Sequence, residues 1–324
     1  MRITNILALL LLLTNSIIAQ EAAKTGEGNE NDVVKYDVTF DLDQLVYHRY
    51  RVTENTRVKR IFEDSTSSEY EKSVTHWFTV FVPGPEDDNG FLVAEITSDS
   101  LDYKYISKPK KVEFATREID KMMPINFMDF FSTYAADNRS FNMTYSPYGD
   151  VAKVSGDELD VERKNYSKTP DPSKKNHILE AISNEKLKFL FDVPKGVYPP
   201  FEATKDTSWK SEITYYVANI PLSGEITNTF KGYSNKEYHI ESVIDSLDLI
   251  SPIESFYFPD LDKFGSVTKA ISSGTINTDM HTSGTVKYIK ANLKAIIAGE
   301  ISNYKYNQIV ETTFTWDLLG KFSY

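Results

Sequence analysis

The chain has 324 residues, with 36 basic against 47 acidic side chains for a net charge of −11 at pH 7, and it contains no cysteine. The acidic balance argues against nucleic acid and anionic lipid surfaces as partners. Absence of cysteine excludes disulfides, thiolate metal ligands, cysteine nucleophiles and an acylated N-terminal cysteine, so packing alone holds one large or two modest domains.

Residues 1–19 read as a signal peptide: Arg2, an apolar run over 6–13, then the small residue Ala19. The run is far too short to cross a bilayer, so the sequence predicts a secreted or periplasmic protein with no transmembrane anchor. Residues 20–32 are polar, acidic and glycine-bearing, which suits a flexible tether. From residue 33 a period of two begins. Val34, Tyr36, Val38, Phe40 and Leu42 alternate with Lys35, Asp37, Thr39, Asp41 and Asp43, and the rhythm continues through Val46, His48, Tyr50 and Val52. It returns over 74–82, at Leu101, Tyr103 and Tyr105, over 209–217, and from Tyr304 to Trp316. The predicted fold is mainly β (α+β), a curved antiparallel sheet or two half-barrel sheets with one wet face.

Helical spacing is scarce. Asp171 as N-cap, Pro172 at the first helical position and the stripe Ile178, Leu179, Ile182, Leu187, Leu190 predict one amphipathic helix, and a shorter one is expected after Pro124; both would cover the concave face. The polar, proline-bearing stretch 155–176 reads as a seam. It divides an N-terminal sheet half, 33–165, from a helix plus C-terminal sheet half, 166–324, which together can form one continuous domain. Gly149, Gly265 and Gly284 each stand two residues before a valine, as if releasing a turn into a strand.

Residue types of a hydrolytic triad gather at Ser273, Asp279, His281 and Ser283. Same-face neighbours on a strand stand about 6.6 Å apart, beyond hydrogen-bond reach, and no nucleophile elbow is present, so a hairpin is the expectation there. His48 and His76 occupy apolar sides of their strands, as core histidines or, if the strands bring the rings together, as a metal or acid/base pair. His177, His239 and His281 read as solvated or capping. Asp260, Asp262 and Gly265 start like a calcium loop, but Phe264 and Ile271 stand where oxygen ligands belong. No cofactor motif is found.

Met122, Met123, Phe127, Met128, Phe130 and Phe131 form a deformable apolar segment, either a gate or a plug for the sheet's apolar face. With inward His48, Tyr50, His76, Phe78 and Trp209 they are the candidate lining of an apolar hollow. The expected function is a non-enzymatic binding or carrier protein of the cell envelope, its partner an apolar small molecule or an envelope protein. A metal-dependent or hydrolytic enzyme using His48 and His76, and an interaction protein with a plugged sheet, are the alternatives.

The opening "YHRYRVTENT", the "YSPYGDVAKVSG" turn, "FDVPKGVYPPFEATKDTSWKSE" after the helix and the late "INTDMHTSGTVKYIKAN" hairpin occur in an order that resembles an uncharacterised family of secreted bacterial domains, over residues 33–319. That resemblance implies no catalytic residues. More loosely, the architecture is similar to periplasmic lipoprotein carriers, whose curved antiparallel sheet holds an acyl chain against short helices.

Overall fold

A computed structural model describes residues 34–116, 127–135, 137, 139–192 and 197–323. The expected signal peptide and tether, and Met122 and Met123, lie outside the described residues. The chain divides into two units, 1–36 and 37–324. In the first, the described residues hold the short strand β1 (Lys35–Tyr36).

The second unit runs β2 (Val46–Phe62), β3 (Ser67–Phe81), β4 (Leu92–Ser107), β5 (Lys111–Ala115), α1 (Met128–Tyr134), β6 (Ser140–Tyr145), β7 (Val151–Ser155), α2 (Asp157–Tyr166), α3 (Pro172–Ala181), α4 (Asn184–Phe191), β8 (Ala203–Thr204), β9 (Ser208–Val217), β10 (Ile220–Ser234), β11 (Glu237–Leu249), β12 (Ile253–Phe258), β13 (Lys263–His281), β14 (Val286–Ile301) and β15 (Tyr304–Ser323). The fold is mainly β. One antiparallel sheet takes the order β7-β6-β4-β3-β2-β15-β14-β13-β11-β10-β9, with β5 added on β4 and β12 on β13. The two sequence halves are thus continuous, because the last strand, β15, pairs with β2 from Tyr306 opposite Phe62 to Ser323 opposite Val46. Hairpin turns set this register: Ala218 and Asn219, Asn235 and Lys236, and Ser302 and Asn303 all carry positive φ at both central positions, the type I′ pattern that matches strand twist.

Alternation turns one sheet face inward. On β2, Tyr50, Val52, Val58 and Arg60 are all within 1% of full burial, while Arg57 and Lys59 face water. Each fully buried apolar side chain contributes roughly 1.5–3 kcal/mol. On β4 a bulge leaves Phe78 opposite Ser98 and Trp77 opposite Ser100, so inward positions switch from Ile96 and Ser98 to Leu101, Tyr103 and Tyr105. Helices cover this face. Phe191 of α4 packs edge-on to Phe78 at 5.0 Å, and Phe189 edge-on to Phe314 at 5.1 Å. Trp316 Nε1 donates to Leu190 O at 3.1 Å, which anchors α4 to β15.

Several sequence expectations change here. Residues 37–43 are extended but bond no ladder, although Val38 and Leu42 are buried as the alternation implies. The single helix expected from residue 171 is two. Asp171 caps α3 through Ser173 N and Lys174 N, Ser183 caps α4 through Lys186 N, and Arg163 donates to the freed carbonyl of Ile182 at 2.8 Å between them. The seam contains α2. Gly149 and Gly284 are positive-φ turns, but Gly265 lies inside β13, where a Cβ would meet Glu300 O at 2.5 Å.

Candidate functional site

A cavity of about 530 Å³ lies between the inward sheet face and the helices. Its floor is Glu54 of β2 with Lys72, Val74 and His76 of β3; its walls include Lys186 and Leu190 of α4, Ser132 and Thr133 of α1, and Tyr216 and Asn219 beside the β9–β10 turn. Exposed Asn176 and Glu180 of α3 stand at its mouth, facing residues 251–256.

Register brings the floor together, since Glu54 lies opposite Val74, Thr56 opposite Lys72 and Val52 opposite His76. Thr56 Oγ1 donates to Glu54 Oε1 at 2.8 Å and bonds Thr312 Oγ1 at 2.9 Å. Lys72 Nζ reaches Asp129 Oδ2 at 3.4 Å, and Asp129 also accepts from Tyr103 OH at 2.7 Å and Asn219 Nδ2 at 3.2 Å. Burial pushes Lys72 down, but Asp129 and Glu54 outweigh it and hold the ammonium above its ordinary range. Asn219 is aimed by its turn: its Oδ1 accepts from Lys186 Nζ at 3.1 Å while its amide serves Asp129.

Lys186 is the exception among these charges. It is 8% exposed, its ammonium lies 4.4 Å from the Tyr216 ring centroid, and among the described residues no carboxylate stands within ion-pair distance. Desolvation lowers its pKa to about 8, against the partial support of Glu54 and Glu180. Glu54, 7% exposed, likewise has no cation at ion-pair distance among the described residues. Burial drives His76 down to about 3 and His177 to about 4, so both are neutral at pH 7, with His76 Nδ1 and His177 Nε2 buried and unpartnered.

No protein-family model and no curated protein matches the chain. Among solved structures, Pseudomonas aeruginosa OpdQ is similar at 9% identity and a TM-score of 0.20, over 83% of this chain and 98% of that one. An outer membrane channel from Pseudomonas putida F1 matches at 7% identity and a TM-score of 0.18, over 90% and 99%. Salmonella typhi OmpF matches at 6% and 0.21, over 83% and 97%. At such TM-scores the backbones do not superpose, and no property of those proteins is carried to this chain.

Of the lining residues expected from the sequence, His76 borders the cavity. Tyr50 is core: it stacks on Phe78 at 5.5 Å and donates to Val286 O at 3.2 Å. His48 is fully buried, with Nε2 3.3 Å from Asp43 Oδ2. His48 pairs with Val80 and His76 with Val52, so the two histidines are four positions, about 13 Å, apart along the ladder and share no site. Trp209 is buried on β9, the far end of the sheet, against Phe201. Phe127 and Phe130 plug the face, the first tilted on Tyr105 at 4.8 Å and the second edge-on to Phe114 at 4.8 Å, while Met128 is half-buried and Phe131 exposed. The residues missed were the inward charges themselves, Glu54 and Lys72, legible as breaks in the apolar phase of β2 and β3.

The hydrolytic types regroup. Ser273 and Ser283 are exposed, His281 sits at the end of β13, and Asp279 finds its histidine on the next strand: His239 Nδ1 donates to Asp279 Oδ1 at 2.7 Å, and His239 Nε2 bonds Ser234 Oγ at 2.7 Å. That chain lies at an exposed hairpin end and borders none of the cavity above. The calcium-like loop is spent on the protein itself, with Asp260 against Arg60 and Asp262 accepting from Tyr257 OH at 2.6 Å. No described helix is long and apolar enough to cross a membrane.

Proposed function

We propose that this is an exported, non-enzymatic binding protein of the cell envelope that holds a small ligand between its sheet and helices. The observation that carries the reading is a cavity walled by buried charges of opposite sign, Lys186 and Glu54, each lacking a charged partner. An unpaired buried charge costs several kcal/mol unless something pairs it, so such groups in a cavity point to an absent third party. The ligand's character differs from the oil-facing hollow expected from alternation. Val74, Leu190, Ile253 and Phe256 offer apolar contact, but Lys72, His76, His177 and Asn219 share the lining. A one-sided sheet under short helices also suits the looser resemblance to lipoprotein carriers. Native mass spectrometry after gentle purification is expected to show a small molecule released on denaturation. A bare chain mass, together with no thermal shift from any amphipathic or charged metabolite tested, would sink the reading.

The reading as a non-enzyme covers the Ser234–His239–Asp279 chain as well. An attacking serine gains most from preorganised oxyanion donors in a site closed to water, and Ser234 is open to solvent at its hairpin. A fluorophosphonate probe is expected to leave Ser234 unlabelled over hours; rapid labelling lost in His239→Ala would make the protein a serine hydrolase.

A further inference from the structure

We infer that the cavity's ligand is a zwitterion of the amino-acid class, its carboxylate on Lys186, its ammonium on Glu54 and its apolar side chain on Val74, Leu190 and Phe256. The inference rests on the binding reading above and specifies its ligand. Most charges around the cavity are already committed. Lys72 is paired with Asp129, Asp129 is saturated by Lys72, Tyr103 and Asn219, and Glu180 at the mouth accepts from Tyr216 OH at 3.2 Å. Glu254 borders the mouth and is exposed.

What stays uncommitted in the interior is one ammonium and one carboxylate. Lys186 has a single neutral acceptor, Asn219 Oδ1, and Glu54 a single hydroxyl donor, Thr56. The two line one cavity and are not in ion-pair contact with each other. An anionic ligand would satisfy Lys186 and meet repulsion from Glu54; a cationic ligand would do the reverse; an apolar ligand would strand both. A small molecule carrying both charges pairs both ends at once. The unpartnered His76 Nδ1 and His177 Nε2 add hydrogen-bonding atoms beside it.

The probes are leucine, phenylalanine and dileucine, each tested by calorimetry and thermal shift beside the matched acid lacking the amine and the matched amine lacking the carboxylate. At least one zwitterion is expected to bind at least about tenfold more tightly than both of its singly charged analogues. Lys186→Met should abolish the preference over the amine, and Glu54→Gln the preference over the acid, each leaving the other preference in place. The zwitterion inference is overturned if none of the three binds, if an acid binds as tightly as its zwitterion, or if a co-purified ligand carries one charge or none. In the last two outcomes the binding-protein reading survives; a cavity that takes up nothing and releases nothing ends both.

Discussion

Lys186→Met is expected to make the ligand-free protein more stable at pH 7, by about 1–2 kcal/mol, or roughly 2–6 °C in melting midpoint. Desolvation takes the folded-state pKa from 10.5 to about 8, and at about 1.4 kcal/mol per pH unit that sets the cost of keeping the ammonium charged inside the fold at about 3 kcal/mol. Methionine removes that cost and fills similar space. It also strands Asn219 Oδ1 and gives up the ring contact with Tyr216, which together return about 1–2 kcal/mol. The pH dependence carries a definite sign. Below pH 8 the lysine is charged in both folded and unfolded chains, and the full penalty applies. Between 8 and 10.5 the unfolded chain holds more protons, so wild-type stability rises with pH relative to the variant. Urea unfolding of both proteins from pH 7 to 10.5 should therefore show the variant's advantage shrinking above pH 8 and vanishing near 10.5. The groups sharing this field, Glu54, Lys72, Glu180 and Asp129, remain in both proteins and cancel in the difference. A destabilised variant at pH 7 would make Lys186 a structural residue and remove the main support for a ligand site.

The alternation in β2, β3, β9 and β15 was readable because a half-buried strand exposes its period directly in the order of residues. Residues 37–43 show the limit of that signal, since burying Val38 and Leu42 alternately requires an extended chain but no ladder. The helix break at Ser183 was missed because the apolar stripe passes over it, and what ends α3 is Arg163, nineteen residues upstream of Ile182. The site was legible in part. Glu54 and Lys72 sit at inward phase, and a charge at an inward position is a sequence-level mark of a polar interior. Lys186, Asp129 and Asn219 carry no such mark: they meet because α4, α1 and a type I′ turn converge over the same strands. His239 and Asp279 are forty residues apart and become partners only through the register of β11 on β13. Side-chain types within one short segment therefore pointed to the wrong histidine.

Asp260→Ala should have the opposite effect to Lys186→Met, destabilising the protein by about 3–5 kcal/mol, on the order of 10 °C. Here the buried cation is fully partnered. Arg60 is 1% exposed, its Nη1 donates to Asp260 Oδ2 at 2.6 Å and to Ser68 Oγ at 3.2 Å, and its Nε and Nη2 donate to Gln308 Oε1 at 3.0 and 2.7 Å. The guanidinium lies 4.6 Å from the Phe258 ring centroid and 5.5 Å from that of Tyr306. Strands β2, β3, β12 and β15 and the link between β12 and β13 are thus tied at one point. Removing the carboxylate leaves a guanidinium that can neither lose its proton nor reach water, so the whole desolvation cost falls on the folded state. Replacing both partners, as Arg60→Met with Asp260→Ala, removes that charge and is expected to recover a substantial part of the loss, a coupling measurable as a double-variant cycle. Equal losses in the single and double variants would mean that Asp260 acts by closing the loop rather than by neutralising Arg60. The pair also gives the cavity its internal control, because a buried cation whose partner lies within the chain stabilises it, and one whose partner must come from outside does not.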